Sequence, residues 1–441
     1  DRGLRRRLAA ELGPELAWIR GGRRYGQVLF RPLAEIRCEA MIATGGDPYP
    51  LHAGDAAGPF GGCSLTAELV AGPLAVVLEP RVAYDPVGGG NAPAGPIALG
   101  GSAVLDMPRG YAKLAGANLE LAGGVGGLAW STGRSGLIWS GNAADPLMVR
   151  FTQPRLWQLP WIFRYLGDFR ATLLWAHLLG PREDVDRPYT LGMKIDWRPV
   201  VPWLEISLSR LAMYGGEGRP DATAVDIWQL IWATHPHADY DEDKNLFDAN
   251  EIAAIEATLQ VPFAHLIPGV RFLQLYWTNA GEDTIRTYLG PLPLPGLTGA
   301  ANLGGFYLGV GPLTLRLEWA RLMDDRFRWY THHRIYHQGF VHHGRITGHP
   351  IGGDAEETYV ELGLDVGGSI EGWIWLTRSR HEGVVDVRDD VVYTLAADLI
   401  RTSVGAQLRA DLVAVPLPHR PRLQAQLRFQ LEHHRNAGYV P

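Results

Sequence analysis

The chain has 441 residues, a net charge of −6, 46% hydrophobic and 20% charged residues, with 54 Gly, 31 Pro and 15 Trp; Gly and Trp are both richer than in an average soluble chain, which suits many strands and turns. The charge argues against nucleic acid, which selects a basic patch, and no run of about eighteen apolar residues is present to form a transmembrane helix. A membrane β-barrel passes both tests, because its strands need only about ten residues each and alternate in polarity.

In chain order, residues 1–20 place Leu4, Leu8, Leu12 and Leu16 at helical spacing among charges, which predicts a short amphipathic N-terminal helix. The opening Asp1-Arg2-Gly3-Leu4-Arg5-Arg6-Arg7 shows no signal peptide. Such a start fits a cytosolic protein or a mature chain whose targeting segment has been removed, and the strand pattern that follows favours the second. From residue 23 to 434, short alternating segments are separated by turn clusters such as Gly45-Gly46-Asp47-Pro48, Gly88–Asn91, Gly215–Arg219 and Gly352–Asp354. Cys38 and Cys63 are the two cysteines, too few for a disulfide framework and without zinc-site spacing. In an exported chain they pair across a hairpin; otherwise they are two separate buried thiols, and the residues leave both open.

The alternation is cleanest near the C-terminus. Leu423, Ala425, Leu427, Phe429 and Leu431 share one face of a strand, and Gln424, Gln426, Arg428, Gln430 and Glu432 the other. Val404–Leu412, Val360–Asp365, Leu313–Leu317 and Leu204–Leu208 repeat the pattern. A soluble sandwich also alternates, but its wet face tolerates Lys. Here Lys is scarce, and the polar faces carry Arg, Glu, Asp and Gln beside Trp and Tyr, which can pair inside a lumen. Trp and Tyr near segment ends suit aromatic girdles around a lipid band. The expected fold is an all-β transmembrane antiparallel barrel of about eighteen strands. Connections near 44–62, 85–112, 154–166, 214–249 and 322–356 are too long for tight hairpins and are expected at the extracellular surface or as a plug. Within them, residues 233–248 are strongly acidic. A solvated loop is the plain reading, and a divalent-cation site at Asp239, Asp241, Glu242 and Asp243 the sharper one.

The stretch from Trp329 to Asp354 holds six of the 15 His residues. His332-His333 and His342-His343 are adjacent pairs, which point to opposite faces of a strand, so the two members of a pair do not chelate one ion together; a metal held by one member of each pair is the lesser reading, and hydrogen bonding beside Tyr and Arg the favoured one. No GxSxG, HExxH or phosphate-cradling glycine loop occurs, so neither catalysis nor a cofactor is expected. Trp329, Tyr330, Tyr336 and Phe340 offer flat apolar platforms, with Arg328, Arg334, His337, Arg345 and His349 as donors. Those are ingredients for stacking on sugar C–H surfaces and bonding hydroxyls and carboxylates. A loop packed on itself is the competing reading.

Four stretches, in order, resemble the Wzi family of capsule-assembly proteins. Trp130-Ser-Thr-Gly133-Arg134 leading to Ser140-Gly-Asn142-Ala143-Ala-Asp-Pro146 is similar to the family's W-G-P-G segment followed by S-N-N-A-x-P. Arg210-Leu-Ala-Met-Tyr-Gly215-Gly216-Glu-Gly218-Arg219-Pro220 resembles R-x-x-x-F-G-G-x-G-R-P. Tyr276-Trp-Thr-Asn-Ala280-Gly281-Glu282-Asp283 resembles Y-x-Q-x-A-G-E-D, and His333 to His349 resembles H-x-I-Y-x-x-G-Y-x-Y-x-G-R-x-I-G-H. The likeness implies an outer-membrane barrel of about eighteen strands, a periplasmic helical bundle and a lectin-like role at the extracellular face. Three departures stand out. Trp130–Gly133 replaces W-G-P-G; the N-L-A-G-F-D element appears only as Asn250-Glu-Ile-Ala-Ala-Ile-Glu256; and the single helix over 1–20 looks like the last of the bundle.

The expected function is therefore non-catalytic binding of surface or capsular polysaccharide. Candidate ligand contacts are Trp130, Arg134, Asn142, Arg219, Trp329, Tyr336, Arg345, His349 and Asp354. Outer-membrane lipid, lipopolysaccharide and other envelope proteins are the further partners expected. A porin or solute conduit, and a scaffold for an extracellular protein assembly, are the alternatives.

Overall fold

The structure is a computed structural model that describes residues 28–42, 59–84, 97–100, 103–126, 128, 130–179, 182–199, 201–232, 247–289, 292–322, 329–330, 333–343, 345–366, 370–381, 384–388, 391–395, 398–412, 423–435 and 439–440. The predicted N-terminal helix and the acidic cluster at Asp239–Asp243 lie outside the described residues.

Strands dominate. They are β1 (Val28–Ile42), β2 (Pro59–Ala71), β3 (Leu74–Tyr84), β4 (Ile97–Gly100), β5 (Ala103–Gly116), β6 (Leu119–Val125), β7 (Leu147–Thr152), β8 (Trp157–Gln158), β9 (Asp168–His177), β10 (Tyr189–Arg198) and β11 (Leu204–Tyr214). Helix α1 (Ala224–Ile231) follows, then β12 (Ala249–Gln260), β13 (Val270–Leu289), β14 (Leu292–Val310) and β15 (Leu313–Leu322). The remainder are β16 (Val341–His342), β17 (Arg345–Ile346), β18 (Ala355–Val366), β19 (Ile370–His381), β20 (Val384–Arg388), β21 (Val391–Leu395), β22 (Leu399–Leu412), β23 (Leu423–Arg435) and β24 (Tyr439–Val440).

Nineteen of these strands form one sheet, with β4 and β8 as short arms hydrogen-bonded to β5 and β9. Long neighbours pair antiparallel in chain order from β1 to β23, which bears out the expected antiparallel sheet of about eighteen strands. The terminal strands β1 and β23 approach within 8 Å at Cα. Cys38 and Cys63 are register partners on β1 and β2 and are joined by a disulfide.

The alternation read in the sequence sorts the two faces. On the outer face, Leu208, Leu317, Leu362, Leu364, Val404, Leu408, Leu427, Phe429 and Leu431 are exposed, as a lipid-facing surface requires. The inner face carries ion pairs between neighbouring strands: Arg170 with Asp196 at 2.7 Å, Arg150 with Glu120 at 3.3 Å, Arg198 with Glu205 at 3.0 Å and Arg401 with Glu432 at 2.6 Å. This is the mutual pairing of Arg with carboxylates that the scarcity of Lys predicts.

Tight turns gather at one end. Ala117 and Asn118, both with positive φ, join β5 to β6, and Gly72 and Gly311 begin the two-residue turns after β2 and β14. The connections after β6, β9, β11 and β15 lie at the opposite end.

Two expected loop boundaries change. Residues 103–112, read as the end of a long loop, belong to β5. Pro108 and Gly110 disguised the strand, and the register shift between Glu79 and Arg81 absorbs Pro80 opposite Met107-Pro108 as a bulge. The segment 154–166 was expected with the extracellular connections, yet it joins β7 to β9 at the tight-turn end and holds a 3₁₀ helix, Trp161–Leu166. Its length, too great for a tight hairpin, points to the long-connection end, but the described residues between β6 and β7 form no strand and run along the inner face, so β7 ends beside the tight turns.

Candidate functional site: a plug on the inner face

Two chain segments, 126–146 after β6 and 329–354 after β15, pack together on the inner face at the long-connection end. Their apolar side chains make one core with the wall: Leu128, Trp130, Leu137, Trp139, Trp329, Tyr330, Tyr336, Phe340, Val341, Ile346 and Ile351 meet Leu174, Leu211, Ile252, Tyr276, Leu303, Leu322 and Ala355. Small wall residues at the rim, such as Ala280, Ala301 and Ala320, leave room for the large rings.

Polar wall residues hold the first segment. Glu256 on β12 accepts hydrogen bonds from Ser131 Oγ at 2.7 Å, Thr132 Oγ1 at 2.9 Å, the Thr132 N–H at 3.2 Å and Thr278 Oγ1 at 3.1 Å. Glu318 on β15 accepts from the Arg134 N–H at 2.7 Å and the Tyr276 hydroxyl at 2.8 Å. Lys194 Nζ donates to the Trp130 carbonyl at 2.8 Å. The Arg134 guanidinium donates to Glu357 Oε1 at 3.2 Å and lies 4.2 Å from the Tyr359 ring centroid. Buried carboxyl groups that gather main-chain, hydroxyl and guanidinium donors in this way act as rigid fixtures.

The second segment is locked to the first. The Tyr330 hydroxyl donates to the Leu137 carbonyl at 2.5 Å and accepts from the His349 N–H at 2.7 Å. Ser140 Oγ donates to the Gly348 carbonyl at 2.5 Å, and Asn142 Nδ2 to the Ile346 carbonyl at 2.9 Å. Position 348 must be glycine, since a Cβ there would collide with the Tyr330 hydroxyl and the Leu137 carbonyl. A latch closes the far side. Arg182, between β9 and β10, is paired with Asp184 and donates to the carbonyls of Val341 at 2.9 Å and Gly339 at 3.0 Å, while Asp184 accepts from the Gln338 N–H at 2.9 Å.

Electrostatics follow from this burial. Burial pushes the Tyr330 and Tyr336 hydroxyls well above the usual phenol range, so both stay neutral donors. His342 is pushed down to about 3 by burial, with His343, Arg182 and His177 adding like-charge repulsion. It is neutral at physiological pH.

The nine residues singled out in the sequence sort into two groups. Trp130, Trp329, Tyr336 and His349 are buried in the plug, where an external glycan does not reach them while the plug is seated. For these four the competing reading of a loop packed on itself describes the geometry. Tyr336 donates to the Gly215 carbonyl at 3.0 Å and is hydrogen-bonded by Arg219. His349 shares Glu357 with Arg134, at 4.0 Å. Partly exposed are Arg134, Asn142, Arg219, Arg345 and Asp354. Sequence reasoning missed Glu256, Glu318, Glu357 and the Arg182–Asp184 latch. The three glutamates sit on the wet faces of alternating strands, and nothing in that alternation tells a fixture from an ordinary lumen charge. Among the described residues no three His, Cys, Asp or Glu side chains gather as a metal site.

The fold has solved counterparts. The chain is similar to the Escherichia coli outer-membrane protein Wzi, described as a carbohydrate-binding β-barrel involved in group 1 capsule assembly, with a TM-score of 0.63, 16% identity and coverage of 96% of this chain and 83% of that one. It is also similar to Pseudomonas aeruginosa OccK2, with a TM-score of 0.50, 10% identity and 90% of each chain covered. Comparison with curated protein sequences finds no match. The family model of the capsule assembly protein Wzi matches residues 61–364, and the chain belongs to that family of outer-membrane β-barrels.

Proposed function

We propose that this chain binds surface or capsular polysaccharide at the extracellular mouth of an outer-membrane barrel, without catalysis, above a plug that closes the lumen. The observation that carries the reading is the double plug. Its two segments share one buried core with the wall; the first is pinned by Glu256, Glu318 and Glu357, and the second is locked to the first through Tyr330, Ser140 and Asn142. A packed interior suits a platform better than a conduit. The long connections mark the extracellular end by the rule of such barrels, which puts the partly exposed Arg219, Arg345 and Asp354 toward the glycan. The carbohydrate-binding description of the E. coli relative supports the same reading.

Two sets of variants test it. Arg345→Ala removes a cation from the partly exposed surface and is expected to weaken polysaccharide retention about 10- to 100-fold, the worth of about one charge-assisted hydrogen bond, with thermal stability unchanged. Tyr336→Phe removes a buried hydroxyl and is expected to lower stability while leaving retention intact in the folded fraction. Unchanged retention in Arg345→Ala, Arg219→Ala and Asp354→Asn together would overturn the surface assignment. Solute flux through the intact protein in planar bilayers would favour the conduit instead.

A further inference from the structure

Helix α1 lies on the outside of the sheet. Its Leu230, Ile227 and Ile231 pack with Leu191, Ala212, Tyr214 and Ala249, all of which share the outer face with Ile195 and Leu208 through the β10–β11 register. The inner face at the same strands is occupied separately by Leu174, Leu211 and Ile252 against the plug. A capping box starts the helix: Thr223 accepts from the Asp226 N–H, and the Asp226 carboxylate accepts from the Thr223 N–H at 2.8 Å.

Beneath the helix is a feature foreign to a lipid-facing wall. Arg210 and Glu251 stand on the outer face, paired with each other and buried. Arg210 also donates to the carbonyl of Leu230 in the last turn of α1, one of the carbonyls a helix leaves unsatisfied, where a cation also meets the negative end of the helix dipole. Around this spot the outer face is apolar and exposed: Leu208 is two residues away, and Phe151, Leu173 and Trp175 lie in the adjoining ladder rows. An uncovered Arg–Glu pair there would meet acyl chains, which solvate charge poorly.

The face of α1 turned away from the wall carries Val225, Trp228 and Trp232, spaced for one helical face and 62%, 61% and 60% exposed. We propose that this face is a lipid contact surface. The helix shields the Arg210–Glu251 pair, replaces the interrupted apolar wall with its own apolar side, and lays Trp228 and Trp232 against the acyl chains of the outer leaflet at the long-connection rim. Acyl chains are the occupant because the surface continues the lipid-facing wall on either side of it, and because Trp beside an apolar flank suits the headgroup boundary. The inference is independent of polysaccharide binding. It assigns a role to Arg210, which opens one of the four family-like stretches yet takes no part in the plug.

Spin-label accessibility in dilauroylphosphatidylcholine vesicles tests it. The two native cysteines are joined in the disulfide, so Trp228→Cys gives one labelling site, with Leu208→Cys as the lipid-facing control and Glu217→Cys as the aqueous one. The label at 228 is expected to favour oxygen over a nickel chelate severalfold more than the label at 217, matching the label at 208. A ratio at 228 equal to that at 217 overturns the proposal, while failure of the 208 control would contradict the membrane reading itself. In a second arm, Arg210→Met in the Trp228→Cys background is expected to raise label mobility and nickel access at 228. Should that variant lose the compact, heat-modifiable form on gels, Arg210→Met with Glu251→Leu leaves no unpaired charge and is expected to fold with the same loosening of α1. Unchanged mobility in the folded variant overturns the role of Arg210 as the clamp.

Discussion

His342 shows how a residue that looks like a ligand becomes a structural one. Its ring is buried against His343, and burial holds it neutral down to about pH 3, against 6.5 for an ordinary His. Between those values the unfolded chain binds more protons than the folded one, so stability rises with pH across that window. The contribution is complete above about pH 6.5 and is lost as the pH falls toward about 3. His342→Leu is expected to flatten that part of a stability-against-pH curve measured by heat modifiability, whereas an unchanged slope would assign the dependence to other groups. At the same scale, Tyr330→Phe orphans the Leu137 carbonyl and the His349 N–H and is expected to cost about 1–3 kcal/mol, read as a lower unfolding midpoint.

At the scale of elements, the plug segments behave as inserted parts held by fixtures rather than as flexible loops. The Arg182–Asp184 latch is the point to probe. Both side chains are almost wholly buried, so Arg182→Met leaves a carboxylate without its cation and is expected to destabilise the latched state by about 3–5 kcal/mol. Protease cleavage between 329 and 354 in the membrane-embedded protein would then rise; equal resistance would show that Ser140, Asn142 and Tyr330 suffice to seat the segment. The strands were legible because lipid on one side and ion pairs on the other force a period of two, as at Val404–Leu412 and Leu204–Leu208. The plug was not. Residues 126–146 are apolar without period, and burial on all sides erases the difference between a buried strand and an irregular core segment. The position of 154–166 was hidden for another reason: its length is that of a long surface connection, and only the strand order shows at which end it lies.

For the whole molecule, the sequence pointed to the plug motifs but not to their meaning. Trp130, Trp329, Tyr336 and His349 have the chemistry of a sugar site, and only tertiary contacts show that the same rings and donors are spent on one another. The partly exposed polar groups Arg219, Arg345 and Asp354 carry no signal in the chain that separates them from their buried neighbours. The proposed seal has a direct electrical consequence: the intact protein is expected to show little or no conductance in planar bilayers, and deletion of residues 329–354 is expected to open it. Sustained conductance by the intact chain would contradict the seal. The most direct measurement of the account as a whole is equilibrium binding of isolated capsular polysaccharide to the folded, unmodified protein. Saturable binding that Arg345→Ala weakens, with the plug still protease-resistant, is the predicted result; the absence of binding by a folded protein whose plug is intact would contradict it.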